Sequence, residues 1–348
     1  MKTKFLNFLK IILANSLIIL TFIALIEIFF GYWFDKDNFG PYMREHRMKN
    51  QKIIWNYKNE IVKYNYKRNY HGFRGDDIKP RDIKAIIMGG SVIDERYKPD
   101  QYTITGFLNQ NLKKNDISLE IVNAGVEGQS TSGIISGFEN WLFKMQDFKP
   151  KYILIYTGIN DQANENDNIL ESETDGHLLN PEKFEVFSDN FKSRSFIYDQ
   201  LRIFKYKVLS NKKDFVKYDG KIDKSYKEKF NFISYEDADK IKDVDKKKTS
   251  SYLKRIDIIN SYIRKINAKP IFITNITASG YNKKTLLLNS ALIKHCGIKK
   301  YTCIDLARKL KGKVGYWYDG VHTTKEGSKA IADIITRELL NFFNLNQI

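Results

Sequence analysis

A serine, an aspartate and a histidine of this chain occur in sequence contexts that suit nucleophilic catalysis. Ser91 lies in IIMGGSVIDERY, where an apolar run ends in two glycines that allow a sharp turn and expose the hydroxyl. Asp319 and His322 lie in YWYDGVHTTKEG, and a carboxylate three residues before an imidazole can accept its Nδ1 hydrogen bond. Nε2 is then left to take the serine proton. Gly-Gly-Ser alone also occurs in ordinary turns and phosphate loops, so the prediction of a triad depends on all three residues.

Two further residues are suited to stabilise negative charge on a substrate oxygen. Gly125 in NAGVEGQSTSG has no Cβ, so its backbone N–H can approach a ligand oxygen closely, and we expect Asn123 to brace this loop. Asn160 in YTGINDQ carries a carboxamide that can donate to an oxyanion. Taken alone, the first stretch is equally typical of a strand-to-helix turn, and the second of a helix N-cap.

Alternating strands and helices are predicted to bring these residues to one edge of a sheet. Short apolar runs predict buried strands at 84–89, 119–125, 152–158, 270–276 and 301–306. Helices are predicted at 105–114, 131–147, 251–266, 283–295 and 325–343. This alternation is typical of an α/β fold in which helices flank a parallel sheet of about five strands. In such sheets the chemistry gathers at the carboxyl ends of the strands.

The N-terminal part of the chain reads as a membrane anchor. A basic segment at 1–10 precedes 24 residues, 11–34, whose only ionisable side chain is Glu27. That length and composition predict one transmembrane helix, and because no small-residue cleavage motif follows, we interpret it as an uncleaved signal anchor. The alternative is a buried core helix. Basic residues flank the run on both sides, so the positive-inside rule does not by itself settle the orientation.

The remaining chain is predicted to form a connecting arm and one main domain. Residues 35–82 are rich in Tyr, Asn, Lys and Arg and resemble an arm with short extended pieces, and 83–348 form the domain. An insertion at about 164–250 is charged and aromatic-rich and shows no clear strand. We interpret it either as a solvent-exposed helical segment or as a cap that shapes substrate access or docks a partner.

Composition limits the classes of partner and cofactor. The net charge of +17 favours anionic surfaces, but the surplus is mostly scattered Lys and no nucleic-acid motif accompanies it, so no nucleic-acid partner is predicted. Cys296 and Cys303 are too few for a disulfide framework and lack metal-ligand spacing, so no metal site is predicted. Whether these two cysteines pair stays open at this stage.

In their order along the chain, the four motifs resemble the blocks of the SGNH, or GDSL-like, hydrolases over roughly 84–340. The resemblance implies the flavodoxin-like fold of that superfamily, with Ser91 as nucleophile and Asp319 and His322 completing the triad. It also implies an oxyanion hole formed by the backbone N–H groups of Ser91 and Gly125 and the Asn160 amide. No cofactor is implied, because the triad itself supplies the nucleophile and the base.

Three details refine this resemblance. HGFRG at 71–75 is similar to a segment that precedes the serine in membrane-anchored bacterial members. Gly90 stands where many members have Asp. The charged residues Asp94, Glu95 and Arg96, next to the nucleophile, are expected to affect substrate preference.

The resemblance implies a serine esterase that hydrolyses a carboxylic ester. Anchored members often act on acylated glycans, so the leading expectation is removal of O-acyl, chiefly acetyl, groups from an envelope glycan or glycolipid, with the domain outside the cytoplasm. A membrane lipid is a further candidate substrate. Two alternatives remain: an O-acyltransferase that uses the same triad, and a non-catalytic envelope-binding protein that has kept the fold. No protein partner is predicted.

Overall fold

The computed structural model describes residues 2–34, 51–162, 188, 191–192, 194–209, 216–219, 246–278, 283–310 and 315–345. The described strands are β1 (Gln51–Tyr57), β2 (Glu60–Tyr66), β3 (Ala85–Gly89), β4 (Ile121–Asn123), β5 (Tyr152–Tyr156), β6 (Val216–Asp219), β7 (Lys269–Ile273) and β8 (Cys303–Ile304). The described α-helices are α1 (Lys2–Phe30), α2 (Ser91–Asp94), α3 (Ile104–Lys114), α4 (Thr131–Asn140), α5 (Phe196–Leu209), α6 (Lys246–Lys265), α7 (Lys283–Lys299), α8 (Leu306–Lys309) and α9 (Lys325–Leu345).

The five predicted strands form one parallel sheet. Its order is β4-β3-β5-β7-β8, and every neighbouring pair is parallel. Numbered among themselves, these strands have the order 2-1-3-4-5, which is that of flavodoxin-like folds. The prediction of an α/β fold with a five-stranded parallel sheet is therefore confirmed, although β8 is shorter than the run at 301–306 suggested.

Both faces of this sheet are covered by helices, which explains why its strands read as unbroken apolar runs. On β3, Ala85 and Ile87 belong to the core under α3 and α9, whereas Ile86 and Met88 belong to the core under α4 and α6. The alternation follows the two-residue period of a strand. All four side chains are fully buried.

A second, smaller sheet comes from the segment that the sequence presented as a connecting arm. β1 and β2 form an antiparallel hairpin whose two turn residues, Lys58 and Asn59, have φ values of 48° and 68°. Positive φ at both positions is typical of the two-residue turns that match the twist of hairpin strands. The short extended pieces expected in this segment are thus the two paired strands at 51–57 and 60–66, and residues 35–50 lie outside the described residues.

The prediction that the insertion holds no strand is wrong at β6, which pairs in parallel with β1. Its sequence, VKYD, is short and not an apolar run, and its partner strand β1 is far away in the chain. Local periodicity therefore could not detect it. The insertion also contributes α5 and the start of α6, and its residues 164–187 and 220–245 lie outside the described part.

The hairpin packs against the C-terminal part of the domain. The buried Trp55 indole donates a hydrogen bond to the Tyr318 hydroxyl at 3.2 Å. The Tyr57 hydroxyl donates to Glu326 Oε2 on the first turn of α9 at 2.6 Å. Tyr318 precedes Asp319, so the small sheet supports the loop that carries the predicted Asp-His pair.

The N-terminal helix α1 begins earlier than the predicted span and ends four residues before its predicted end. From Phe5 to Phe30 it is long and apolar enough to cross a membrane, and none of the residues in this stretch is buried in the structure. The alternative of a buried core helix is therefore wrong for this structure. A signal sequence would share the same length and composition.

The two cysteines, left open by the sequence, form a disulfide. Cys296 and Cys303 have Cα atoms 6.3 Å apart and close a short loop between α7 and β8. For a loop this short, the chain-entropy relation gives about 2 to 3 kcal/mol of stabilisation.

We expect Cys303→Ser to lower the free energy of unfolding by about 2 kcal/mol. Urea titration of the full chain in detergent measures this change. A reducing agent should destabilise the unmodified protein by a similar amount and leave the variant unaffected. Equal sensitivity of both proteins to the reductant would contradict the assignment.

Candidate active site

The serine, histidine and aspartate that the sequence singled out lie in one hydrogen-bonded chain. His322 Nε2 is 2.9 Å from Ser91 Oγ, and His322 Nδ1 is 2.8 Å from Asp319 Oδ2. With the Nδ1 hydrogen directed at the carboxylate, Nε2 is the ring atom that can accept the serine proton. The His322 and Asp319 side chains are 32% and 44% exposed, so a substrate in solvent can reach them.

Asp319 is oriented by its own loop. Its Oδ1 accepts the backbone N–H groups of Val321 at 2.8 Å and His322 at 2.7 Å, which leaves Oδ2 for the imidazole. Burial favours a raised pKa for this carboxyl, but the hydrogen bonds from the His322 ring and from the two backbone N–H groups outweigh it and lower the pKa. Asp319 is therefore kept ionised and able to stabilise an imidazolium.

The nucleophile turn needs glycine because neighbours lie where a Cβ would be. Ser91 is the first residue of α2, directly after β3 and the Gly89-Gly90 pair. A Cβ on Gly89 would lie 2.8 Å from the backbone oxygen of Tyr156, and one on Gly90 would lie 2.3 Å from Asn160 Nδ2. The Asn160 amide thus occupies the space that a side chain at position 90 would need.

Two of the three predicted oxyanion donors, the Asn160 amide and the Gly125 N–H, differ in how free they are to bind a ligand. Asn160 Nδ2 donates to the backbone oxygen of Gln129 at 2.9 Å, and its amide has a second hydrogen for a ligand. The Gly125 N–H donates to Asn123 Oδ1 at 2.9 Å, so it is already engaged. Asn123 also donates to the Ile93 oxygen at 2.7 Å, which confirms that it braces this loop. We therefore expect Asn160 to contribute more than Gly125.

Two buried arginines from the predicted arm hold the nucleophile turn, and the sequence did not single them out. Arg68 pairs with Asp94 at 2.7 Å and donates to the Gly125 oxygen at 2.5 Å. Arg74, from the HGFRG segment, donates to the backbone oxygens of Asp94 and Lys98. The arm thereby links the end of α2 to the loop that carries Gly125.

A second buried pair joins the nucleophile turn to the histidine loop. Glu95, whose φ is 45°, accepts from the Thr323 hydroxyl at 2.8 Å and the Ser328 hydroxyl at 2.7 Å, and it also contacts Lys98. Lys98 donates to the Thr323 oxygen at 2.6 Å. Burial lowers the pKa of the Lys98 ammonium, although the Glu95 carboxylate opposes this effect. Thr323 follows His322, so this network fixes the two loops relative to each other.

These contacts change the interpretation of the charged run after the nucleophile. Asp94 and Glu95 line the cavity beside Ser91, but they are only 3% and 6% exposed, and buried cations, Arg68 and Lys98, neutralise their charges. Arg96 lies nearer the surface, pairs with Glu127 at 2.9 Å and has its guanidinium 4.8 Å from the centre of the Tyr97 ring. Of the three residues, Arg96 has the most exposed side chain.

A cavity opens beside Ser91 and His322. The rest of its lining consists of Val92, Thr323 and the charged and aromatic residues Asp94, Glu95, Arg96, Lys98, Glu127, Tyr97 and Tyr318. Among the described residues, no cluster of His, Cys, Asp and Glu has the arrangement of a metal site. Taken together, a polarised serine, an adjacent base and an amide donor are the groups needed for attack on a carbonyl carbon.

Comparison with known proteins gives structural neighbours only. No protein-family model matches the chain, and no curated protein matches it. A lipolytic protein of the G-D-S-L family from Desulfitobacterium hafniense is similar at 12% identity and a TM-score of 0.41, over 73% of this chain and 99% of that one. An acetylxylan esterase from Geobacillus stearothermophilus is similar at 12% identity and a TM-score of 0.42, over 74% and 94%. The esterase EstA from Pseudoalteromonas sp. is similar at 10% identity and a TM-score of 0.43, over 75% and 99%.

Proposed function

We propose that this protein is a serine esterase that hydrolyses a carboxylic ester through Ser91, His322 and Asp319. The observation that carries the proposal is the unbroken hydrogen-bonded chain from Ser91 Oγ through the imidazole to the Asp319 carboxylate. His322 removes the serine proton as Oγ attacks the ester carbonyl, and then gives that proton to the departing alkoxide. Water attacks the acyl-enzyme by the same route and releases the acid.

We further propose that the substrate is an envelope glycan or glycolipid and that the enzyme removes a small acyl group, such as acetyl, from it. The lining of the cavity beside Ser91 combines the aromatic rings of Tyr97 and Tyr318 with the Arg96–Glu127 pair. Rings and paired charges suit a hydroxyl-rich sugar, whereas a long acyl chain would need an extended apolar lining.

The same proposal places the domain outside the cytoplasm, anchored by α1. Two features support it: the exposed apolar stretch from Phe5 to Phe30, and the disulfide between Cys296 and Cys303, because disulfides persist mainly in oxidising compartments.

Acyl-chain length provides the test of substrate class. We expect the full-length protein in detergent to hydrolyse p-nitrophenyl acetate and to release acetate from an acetylated oligosaccharide, with much lower rates on p-nitrophenyl palmitate. A preference for palmitate would overturn the glycan assignment in favour of a lipid. Turnover that appears only when a glycan acceptor is added would replace hydrolysis by acyl transfer.

Asn160→Ala is expected to lower kcat by about 10²- to 10³-fold with little change in KM, because an oxyanion donor acts mainly in the transition state. Steady-state kinetics on p-nitrophenyl acetate measures this. Asn115→Ala, at an exposed position after α3, is the matched control and should retain full activity. Gly90→Ala should lower kcat by displacing the Asn160 amide and should add little to Asn160→Ala. Independent, multiplying losses would contradict the assigned contact.

A further inference from the structure

Glu27, the one carboxylate within the apolar stretch of α1, is bound by the start of α5. Its carboxylate accepts hydrogen bonds from the Ser195 hydroxyl at 2.6 Å and from the backbone N–H groups of Phe196 and Ile197, each at 3.1 Å. The Trp33 indole N–H adds a fourth bond at 2.9 Å. A carboxylate at a helix N-terminus satisfies donors that the helix itself leaves unpaired. The two helices are thus joined through the charge that an apolar span would otherwise leave exposed.

Aromatic contacts extend this junction on the same side. The Phe30 and Phe196 rings have centroids 5.5 Å apart, and the Trp33 and Phe191 rings have centroids 5.3 Å apart. The Arg194 guanidinium donates to the Trp33 backbone oxygen at 3.2 Å. Tryptophan and other aromatic residues at the end of an apolar span are typical of the membrane–water interface. If α1 crosses a bilayer, α5 therefore begins at the level of the lipid headgroups.

From that junction, α5 presents apolar side chains outward. Ile197, Leu201 and Phe204 follow the spacing i, i+4, i+7 and share one face of the helix. Leu201 and Phe204 are 61% and 63% exposed, as much as Leu20 and Phe22 of α1 at 61% and 63%. Asp199, 8% exposed, lies about half a turn away on the opposite face.

We propose that α5 is an interfacial helix that lies on the lipid surface, with Leu201 and Phe204 in the acyl region, and that Glu27 holds it there. The inference rests on the proposed anchor and is independent of the ester chemistry. It assigns lipid to this face because Leu201 and Phe204 are as exposed as the apolar residues of α1, and because α5 begins in contact with the end of that apolar stretch. By sequence, α5 also contains Arg202, Lys205 and Lys207, residue types that favour a headgroup region.

Site-specific fluorescent labels test this in the full chain, reconstituted at one copy per lipid nanodisc. Single substitutions Phe204→Cys, Leu201→Cys, Ile61→Cys and Ile19→Cys are labelled under non-reducing conditions, where the native disulfide does not react. Ile61 is the matched control, since it is 65% exposed on β2, and Ile19 reports insertion of α1 itself. Emission is measured with doxyl-labelled lipid and with iodide as the aqueous quencher.

We expect doxyl lipid to quench the labels at Phe204 and Leu201 and iodide to leave them bright, with the reverse at Ile61. Labels at Phe204 and Leu201 that iodide quenches like Ile61 would overturn the proposal, as would labels shielded from both quenchers, which would indicate a protein cover. A label at Ile19 that doxyl lipid does not quench would show instead that the anchor itself is wrong.

The role of Glu27 is tested in the Phe204→Cys background. Glu27→Leu removes every acceptor and should make the Phe204 label accessible to iodide, whereas Glu27→Gln keeps a carbonyl acceptor and should largely preserve protection. Ester hydrolysis in detergent should be the same in all these proteins. If the Phe204 label stays as protected from iodide in Glu27→Leu as in the parent, Glu27 does not hold α5 at the lipid surface.

Discussion

Ser91→Ala is expected to lower kcat on p-nitrophenyl acetate by about 10³-fold or more, and His322→Ala by a similar factor. The first variant removes the only atom that can form the acyl-enzyme. The second leaves Ser91 Oγ with no base at 2.9 Å to take its proton. Because the two residues act as one unit, the double variant should be hardly slower than either single variant. Initial rates across a range of ester concentrations separate kcat from KM.

The chain offers a close control for each variant. His295 Nε2 lies 2.7 Å from Asp257 Oδ1, and this imidazole–carboxylate pair on α7 and α6 is not part of the cavity lining. His295→Ala should retain kcat, as should Ser261→Ala at an exposed serine whose hydroxyl donates to the Ile258 oxygen at 2.7 Å. A loss in the controls equal to that in the active-site variants would indicate unfolding rather than chemistry. Activity that survives Ser91→Ala would place the reaction elsewhere.

Local sequence patterns predicted the sheet and the residues at its carboxyl edge because both depend on short segments. Each strand that leads to Ser91, Gly125 or Asn160 is an apolar run with Gly or Asn at its end or within the next two residues, so its end could be located. Asp319 and His322 share one loop, and their contact depends on a spacing of three residues. The meeting of Ser91 with His322 required only that the loop after the last strand reach the same edge, which a parallel sheet provides.

The supporting residues could not be predicted in the same way because their partners are distant in the chain. Arg68 lies in a Tyr-, Asn- and Lys-rich stretch that reads as solvated, and only its contact with Asp94, 26 residues later, shows that it is buried. The engagement of the Gly125 N–H by Asn123 depends on a side-chain rotamer. HGFRG was the available signal, since its resemblance to other anchored proteins marked the segment, though not the role of Arg74.

Asp94→Asn is expected to lower the free energy of unfolding by about 3 to 5 kcal/mol, because it leaves a buried guanidinium without its carboxylate. The Arg68 and Asp94 side chains are 1% and 4% exposed. Asparagine is nearly isosteric and keeps an acceptor for the Tyr66 hydroxyl, which is 2.9 Å from Asp94 Oδ1, so the loss reports mainly the charge. Urea unfolding of the detergent-solubilised full chain, followed by tryptophan fluorescence, measures it.

The double variant Arg68→Met, Asp94→Asn should recover part of this loss, because it removes both members of the buried pair. Lys329→Gln is the exposed counterpart on α9. The Lys329 side chain pairs with Asp333 Oδ2 at 2.7 Å but is 55% exposed, so Lys329→Gln should lower the free energy of unfolding by less than about 0.5 kcal/mol.

The Arg68–Asp94 pair also connects the nucleophile turn to the Gly125 loop, so kcat should fall in Asp94→Asn even at temperatures where the variant stays folded. A variant that is destabilised but fully active would show that the pair stabilises the fold without positioning Ser91.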